Sequence, residues 1–243
     1  MIDILKSITQ SNRSLAILID PEKMDMDAIS AFAKAITSTI TALQNELNID
    51  QLFFFVGGST MENVPFNSWM KILRESTNLP IVIFPGSHNQ LSEHAHGLLF
   101  TNLLSGRNPD YLIEQQFLAA QKLKNTNLEI LPTGYLLIDG GKETAVQNIS
   151  KTQPLHQSDV MSIVNHAFTA QLMGNLLVYL EAGSGAIYPV SITIVQEVSQ
   201  QLKIPVIVGG GLRTIEQIED TYRAGAKMVV IGTAIEQDIK WNG

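Results

Sequence analysis

The run LAILIDPEK, Leu15 to Lys23, sets five apolar residues directly against Asp20-Pro21-Glu22-Lys23. A dinucleotide-binding open sheet would place a G-x-G-x-x-G turn after its first strand, and the carboxylate and proline found here argue against that version of an α/β fold. Seven further runs repeat the apolar pattern: LFFFV at 52–56, IVIF at 81–84, LLF at 98–100, GYLLI at 134–138, LLVYL at 176–180, VIV at 206–208 and MVVI at 228–231. Most are apolar on both faces, as parallel strands covered by helices must be. Between them, Met26 to Leu47, Asp110 to Leu123, Ser158 to Met173, Val190 to Leu202 and Thr214 to Ala224 carry apolar residues at three- and four-residue steps, the spacing of helices with one buried face. Ser158 or Asp159 can cap one helix, and Thr214 followed by Glu216 and Gln217 can start another.

Eight strands within 243 residues predict one domain, 1–243, folded as an α/β TIM (β/α)8 barrel with its chemistry at the carboxyl ends of the strands. A doubly wound open sheet is the competing fold. The third and fourth strands are joined only by FPGSHNQLSEHAHG, too short for a full crossover helix, so one helix of the ring after strand 3 is expected to be reduced or missing. The polar stretch from Asp139 to Gln157 reads as an active-site or surface loop.

Composition excludes several classes of function. Charged residues make up 16% of the chain and its net charge is −7, which argues against a nucleic-acid or anionic-membrane surface and leaves phosphate binding to local features. The absence of cysteine removes disulfides, thiolate metal sites and a cysteine nucleophile. The start of the chain carries no secretory pattern, and no apolar run approaches the roughly 18 residues of a spanning helix, so a cytoplasmic protein is expected.

The ends of the last three strands carry the strongest chemical signal. Gly209-Gly210-Gly211-Leu212-Arg213-Thr214 and Gly232-Thr233-Ala234 both sit at strand-to-helix turns, where exposed amides and the helix dipole favour an anion. In a barrel the seventh and eighth strands are the usual phosphate site; alone, either cluster could equally be a tight turn. The sixth strand runs into Tyr179-Leu180-Glu181-Ala182-Gly183-Ser184-Gly185-Ala186, and period-2 alternation puts Tyr179 and Glu181 on one face, toward the barrel mouth. A carboxylate there can accept a substrate hydroxyl's proton, or pair with a basic residue. Asp20, with the hydroxyl of Ser59 in Gly57-Gly58-Ser59-Thr60, suits Mg2+, although each can also serve as a simple turn cap.

Other features are better explained without a site. His88, His94 and His96 fall in one polar loop with few companion ligands, and Met161 and Met173 read as core filler. Lys23 and Arg213 could face a diphosphate.

The segments IDPEK (19–23), VGGST (56–60), FPGS (84–87), TGYLLI (133–138), YLEAGSGA (179–186), VGGGLR (208–213) and IGTA (231–234) together resemble the geranylgeranylglyceryl phosphate synthase family, which includes the bacterial heptaprenylglyceryl phosphate synthases. The octapeptide is specific; GGG and GT are shared with many phosphate-binding barrels. The resemblance implies a prenyltransferase of ether-lipid and phospholipid biosynthesis. It would be Mg2+-dependent and would join a polyprenyl group, geranylgeranyl foremost, from its diphosphate to the C3 hydroxyl of sn-glycerol 1-phosphate. By position it implies Asp20 and Ser59 as metal ligands. It implies Tyr179, Leu180, Glu181, Ala182, Gly183, Ser184, Gly185, Gly210, Gly211, Gly232 and Thr233 as glycerol-phosphate contacts, with Glu181 and Tyr179 catalytic. One branch of the family has a lysine two residues before the aspartate; here that position is Leu18, as in the branch often built as dimers or hexamers, so a homo-oligomer is expected and Lys23 or Arg213 is left to supply the missing charge. Phe84, Phe100, Leu103 and Leu104 are candidates for a prenyl groove, although core packing is the better explanation for any single one of them. Two rivals share the glycine loops: an isomerase or lyase of amino-acid biosynthesis, and a non-enzymatic binder of phosphorylated ligands.

Overall fold

A strand that is apolar on both faces has no stable exposed side, and eight of them in series bury both faces by closing on themselves. The computed structural model describes residues 2–61 and 64–232, and within them β1 (Ser14–Ile19), β2 (Gln51–Val56), β3 (Ile81–Ile83), β4 (Gly97–Leu103), β5 (Glu129–Leu137), β6 (Leu177–Glu181), β7 (Val206–Gly209) and β8 (Met228–Ile231) form a closed barrel. Every neighbouring pair is parallel, and β8 closes on β1 with Ile17 opposite Ile231. The open-sheet alternative is thereby excluded.

The α-helices are α1 (Ile4–Gln10), α2 (Ile29–Leu47), α3 (Phe66–Ser76), α4 (Gln115–Leu123), α5 (Ala145–Ser150), α6 (Val160–Leu172), α7 (Ile192–Gln201) and α8 (Ile215–Arg223), with short 3-10 turns at Pro21–Lys23 and Met26–Ala28 and a π-helical turn at Asp110–Glu114 among the described residues. Asp159, not Ser158, caps α6 by accepting from the Ser162 amide, and Thr214 with Gln217 forms a reciprocal capping box on α8. No helix lies between β3 and β4, as the short connection requires. None of the described helices is long and apolar enough to cross a membrane.

Three local expectations are corrected, those for 139–157, for the start of the fifth strand and for Met161 and Met173, which are 70% and 64% exposed rather than core, and two helices, α1 and α3, are elements the sequence did not announce. Helix α3 presents Phe66, Trp69, Met70 and Leu73 to the core, a three-and-four spacing obscured by its polar majority. The stretch 139–157 is not all loop, because Thr144 caps the short helix α5. Strand β5 begins five residues before GYLLI and runs through Pro132, which pairs in register with Phe100 and whose carbonyl still accepts from Leu176. Near the start of the chain, α1 turns Ile4 and Ile8 into the barrel interior beside Ala16, Phe53, Val82 and Met228, and its first amides are bound by the Glu129 carboxylate at the start of β5. This helix packs its apolar face against the amino-terminal end of the barrel interior.

Candidate active site

A cavity of about 610 Å³ opens at the carboxyl ends of the strands. Of the expected site residues, Asp20, Ser59, Tyr179, Glu181, Gly183, Ser184, Gly185, Gly210, Gly211 and Gly232 line it. Leu180 and Ala182 do not. Their side chains are fully buried in the layer between barrel and helices, because alternation along β6 turns them away from the mouth, so as side-chain contacts they are corrected. Thr233 lies outside the described residues.

At the end of β6, the Glu181 carboxylate is 6% exposed and its Oε1 accepts from the Gly183 amide at 2.6 Å. Burial pushes its pKa above the ordinary carboxylate value, opposed by the nearby Tyr179 hydroxyl and the Gly183 amide. Tyr179 is wholly buried, burial and the Glu181 charge hold its proton on well above the usual phenol range, and its hydroxyl has no well-directed hydrogen-bond partner. The two groups converge. A Cβ on Gly209 would stand 2.5 Å from Tyr179 Oη and 2.9 Å from Glu181 Oε2, and one on Gly210, at φ +83°, would stand 2.5 Å from Glu181 Oε1. Side chains at either position would occupy the space the carboxylate needs, which is the physical reason for glycine there. An unsatisfied phenol beside a buried, proton-hungry carboxylate marks a place prepared for a polar ligand.

Phe84 stacks on Tyr179 with ring centroids 5.0 Å apart, and Tyr135 meets both rings at 5.7 and 5.6 Å. Phe84, Phe100 and Leu103 line the cavity as expected of a prenyl groove, whereas Leu104 packs in the outer layer with Ala167 and Ala170 and is corrected to core. The cavity extends beyond the mouth. Leu99 and Leu103 face the barrel interior, Leu98 and Phe100 face outward, and Gln115, Gln116 and Ala119 form a wall beside them, so the missing helix after β3 lets the space pass over the barrel rim onto the outer face of β4.

Across the mouth, Asp20 Oδ1 accepts from the Glu22 amide and Oδ2 lies 3.5 Å from Lys23 Nζ, so its cap role and its place in the cavity coexist. Gly58 leaves room beside it: a Cβ there would stand 2.7 Å from Asp20 Oδ1. The loops after β2 and β3 touch, and buried Gln90 ties them together, donating to the Gly58 carbonyl at 2.7 Å and accepting from the Gly86 amide at 3.0 Å. Of the two cations considered, Arg213 donates to the carbonyls of Ala186, Ile187 and Gly211, and Lys23 meets Asp20. Two lining residues and one tie behind them carry little sequence signal: Lys142 sits in the polar stretch after β5, Ala119 looks like any helix filler, and Gln90, which joins the loops without lining the cavity, is one amide in a polar loop. Tyr135 was within reach, because period 2 along GYLLI places it on the same face as Leu137.

Comparison with known proteins agrees with this geometry. Residues 9–242 match the PcrB family. The geranylgeranylglyceryl phosphate synthase of Zunongwangia profunda is 45% identical over 96% of this chain and 95% of its own. Among solved structures, the (S)-3-O-geranylgeranylglyceryl phosphate synthase of Thermoplasma acidophilum in complex with sn-glycerol-1-phosphate superposes with a TM-score of 0.85 at 30% identity, covering 99% of this chain and 94% of that one. The enzyme of Thermoplasma volcanium superposes with a TM-score of 0.86 at 31% identity, covering 98% of this chain and 94% of that one. With nearly its whole length matched, the chain belongs to the PcrB family, alongside the geranylgeranylglyceryl phosphate synthases.

Proposed function

We propose that this protein transfers a polyprenyl group, geranylgeranyl foremost, from its diphosphate to the C3 hydroxyl of sn-glycerol 1-phosphate, forming an ether and releasing diphosphate. The observation that carries this reading is the shape of the cavity at the carboxyl ends of the strands. It joins a buried acid–phenol pair and glycine loops to an apolar channel running over β4, as an acceptor with a phosphate and a donor with a long hydrocarbon tail require. Amides of the turns at Gly210, Gly211 and Gly232 hold the acceptor phosphate, with Thr233 the fourth expected contact. Glu181, already held by the Gly183 amide, accepts the C3 hydroxyl proton as that oxygen bonds to the allylic carbon and the carbon–diphosphate bond breaks. The Tyr179 hydroxyl lies beside the carboxylate and orients the attacking oxygen.

Asp20 and half-buried Ser59 fit a magnesium ion. No group of three or more carboxylate or histidine side chains forms a protein cage among the described residues, and the recess that a Cβ on Gly58 would fill leaves Asp20 Oδ1 approachable. One carboxylate, one hydroxyl and substrate oxygens make the donor set Mg2+ accepts, and the ion would neutralise charge on the departing diphosphate. Exposed Phe117 on α4 and Phe168 and Leu172 on α6 support a homo-oligomer that covers them.

The test incubates purified protein and Mg2+ with geranylgeranyl diphosphate and either sn-glycerol 1-phosphate or its 3-phosphate enantiomer, with a chelator control. Chelator-sensitive ether product from the 1-phosphate alone is expected. No product from either enantiomer across several prenyl lengths would return the glycine loops to generic phosphate binding.

A further inference from the structure

Lys142 and Thr144, in the segment 140–144 between β5 and α5, line one wall of the cavity, and the chemistry proposed above uses neither side chain. Their backbone is pinned. The amides of Ile187 and Tyr188 donate to the Gly140 carbonyl at 2.8 and 3.0 Å, the Gly141 amide donates to Asp139 Oδ1 at 2.9 Å, and Thr144 caps α5. The segment lies directly on the loop after β6: a Cβ on Gly183 would stand 2.2 Å from Thr144 Cγ2, and one on Gly185 would stand 3.0 Å from Lys142 Nζ. The Lys142 ammonium thereby stands over the glycine-rich turn that borders Glu181 and Gly210.

Three side chains with full positive charge line the cavity: Lys23, Lys142 and Arg213. Lys23 sits 3.5 Å from Asp20, and Arg213 spends its guanidinium on the Ala186, Ile187 and Gly211 carbonyls. Lys142, among the described residues, makes neither an ion pair nor a hydrogen bond. A phosphate dianion entering beside buried Glu181 meets a like charge, and backbone amides oppose that with partial charges only. A compact, hydrated ammonium on a flexible stem matches a phosphate oxygen without demanding a fixed approach.

We propose that Lys142 binds the phosphate of the acceptor and sets the preference for a phosphorylated glycerol. This rests on the acceptor site proposed above. The binding energy it contributes is present before and during the reaction alike, so it belongs in substrate affinity and not in turnover.

Lys142→Met and Lys142→Arg test it, and because the side chain is exposed and unpartnered, both variants are expected to melt with the wild-type protein. Binding of sn-glycerol 1-phosphate is measured by calorimetry without a prenyl donor, at two salt concentrations. Lys142→Met is expected to weaken binding at least tenfold and flatten its salt dependence, with Lys142→Arg within threefold of wild type. In turnover, KM for the acceptor should rise while kcat and KM for the donor stay within twofold. Unchanged acceptor affinity in Lys142→Met, an equal loss in Lys142→Arg, or a rise confined to the donor KM overturns the proposal while the acceptor site stands. Wild-type protein that binds no glycerol phosphate overturns that site and this role together.

Discussion

Replacing Glu181 with glutamine separates stability from chemistry at the end of β6. The two side chains have the same shape, and glutamine Oε1 can still accept from the Gly183 amide that meets the carboxylate at 2.6 Å. What disappears is a charge that is 6% exposed. Burial raises the native pKa of Glu181, so the folded chain holds that proton more tightly than the unfolded chain does. The sign follows: stability from this group is fully present below the unfolded value near 4.3 and is lost as pH rises through the native value, at about 1.4 kcal/mol per unit of separation. Glutamine carries no such cost. The variant should therefore melt at or above the wild-type temperature at pH 7, and the difference should shrink toward zero as pH falls to about 4. Turnover should move the other way. Loss of a positioned base costs about 10²–10⁴ in rate, or about 3–5 kcal/mol of transition-state stabilisation, while KM for glycerol phosphate changes less than about tenfold. Thermal melts across pH and steady-state kinetics on the same preparations measure both. The acid limb of wild-type kcat/KM should lie above that of an ordinary carboxylate and vanish in the variant. Near-normal kcat would refute the base role; a variant markedly less stable than wild type at pH 7 would show that the buried charge holds the loop together.

Three more outcomes are expected. Gly57→Ala places a Cβ 1.8 Å from the Phe84 carbonyl oxygen, so the loops after β2 and β3 must separate; a loss of about 1–3 kcal/mol in urea unfolding is expected, and an unchanged midpoint would mean the contact is soft. Arg13 holds Glu219 through two bonds of 2.7 and 2.9 Å and keeps its carboxyl below the usual range. That stabilisation, about 1 kcal/mol for side chains a quarter exposed, is present above the unfolded value and lost as pH falls through the lower native one. The melting difference between wild type and Glu219→Gln should thus narrow below about pH 4, and a difference that is flat with pH would reject the pairing. Finally, Ala119→Phe fills the outer part of the cavity beside β4 and should raise KM for long prenyl diphosphates more than for short ones; equal effects on both would place the tail elsewhere.

Much of the fold was legible because it depends on local rules. A strand buried on both faces is apolar throughout, period 2 puts Tyr179 and Glu181 together, and capping chemistry marks Thr214 and Asp159. The elements that escaped lacked a clean local pattern: α3 hides four apolar anchors among polar residues, β5 crosses Pro132, and α5 is too short to show a period. Within the site, Leu180 and Ala182 belonged to the right segment but the wrong face, and Leu104 to the right neighbourhood but the helix-facing layer.

The residues able to do chemistry, and the strand ends on which they stand, follow from the chain's own order, since alternation, glycine turns and apolar runs act over a few residues. What only the closed barrel decided is which distant groups meet. Gln90 joins the ends of β2 and β3, α1 plugs the far end of the barrel, and Lys142 reaches Gly185, whereas the missing helix after β3 was already legible in the short connection. Each of these meetings depends on contacts between segments tens of residues apart, set by how the strands register around the ring, and no local pattern carries that register.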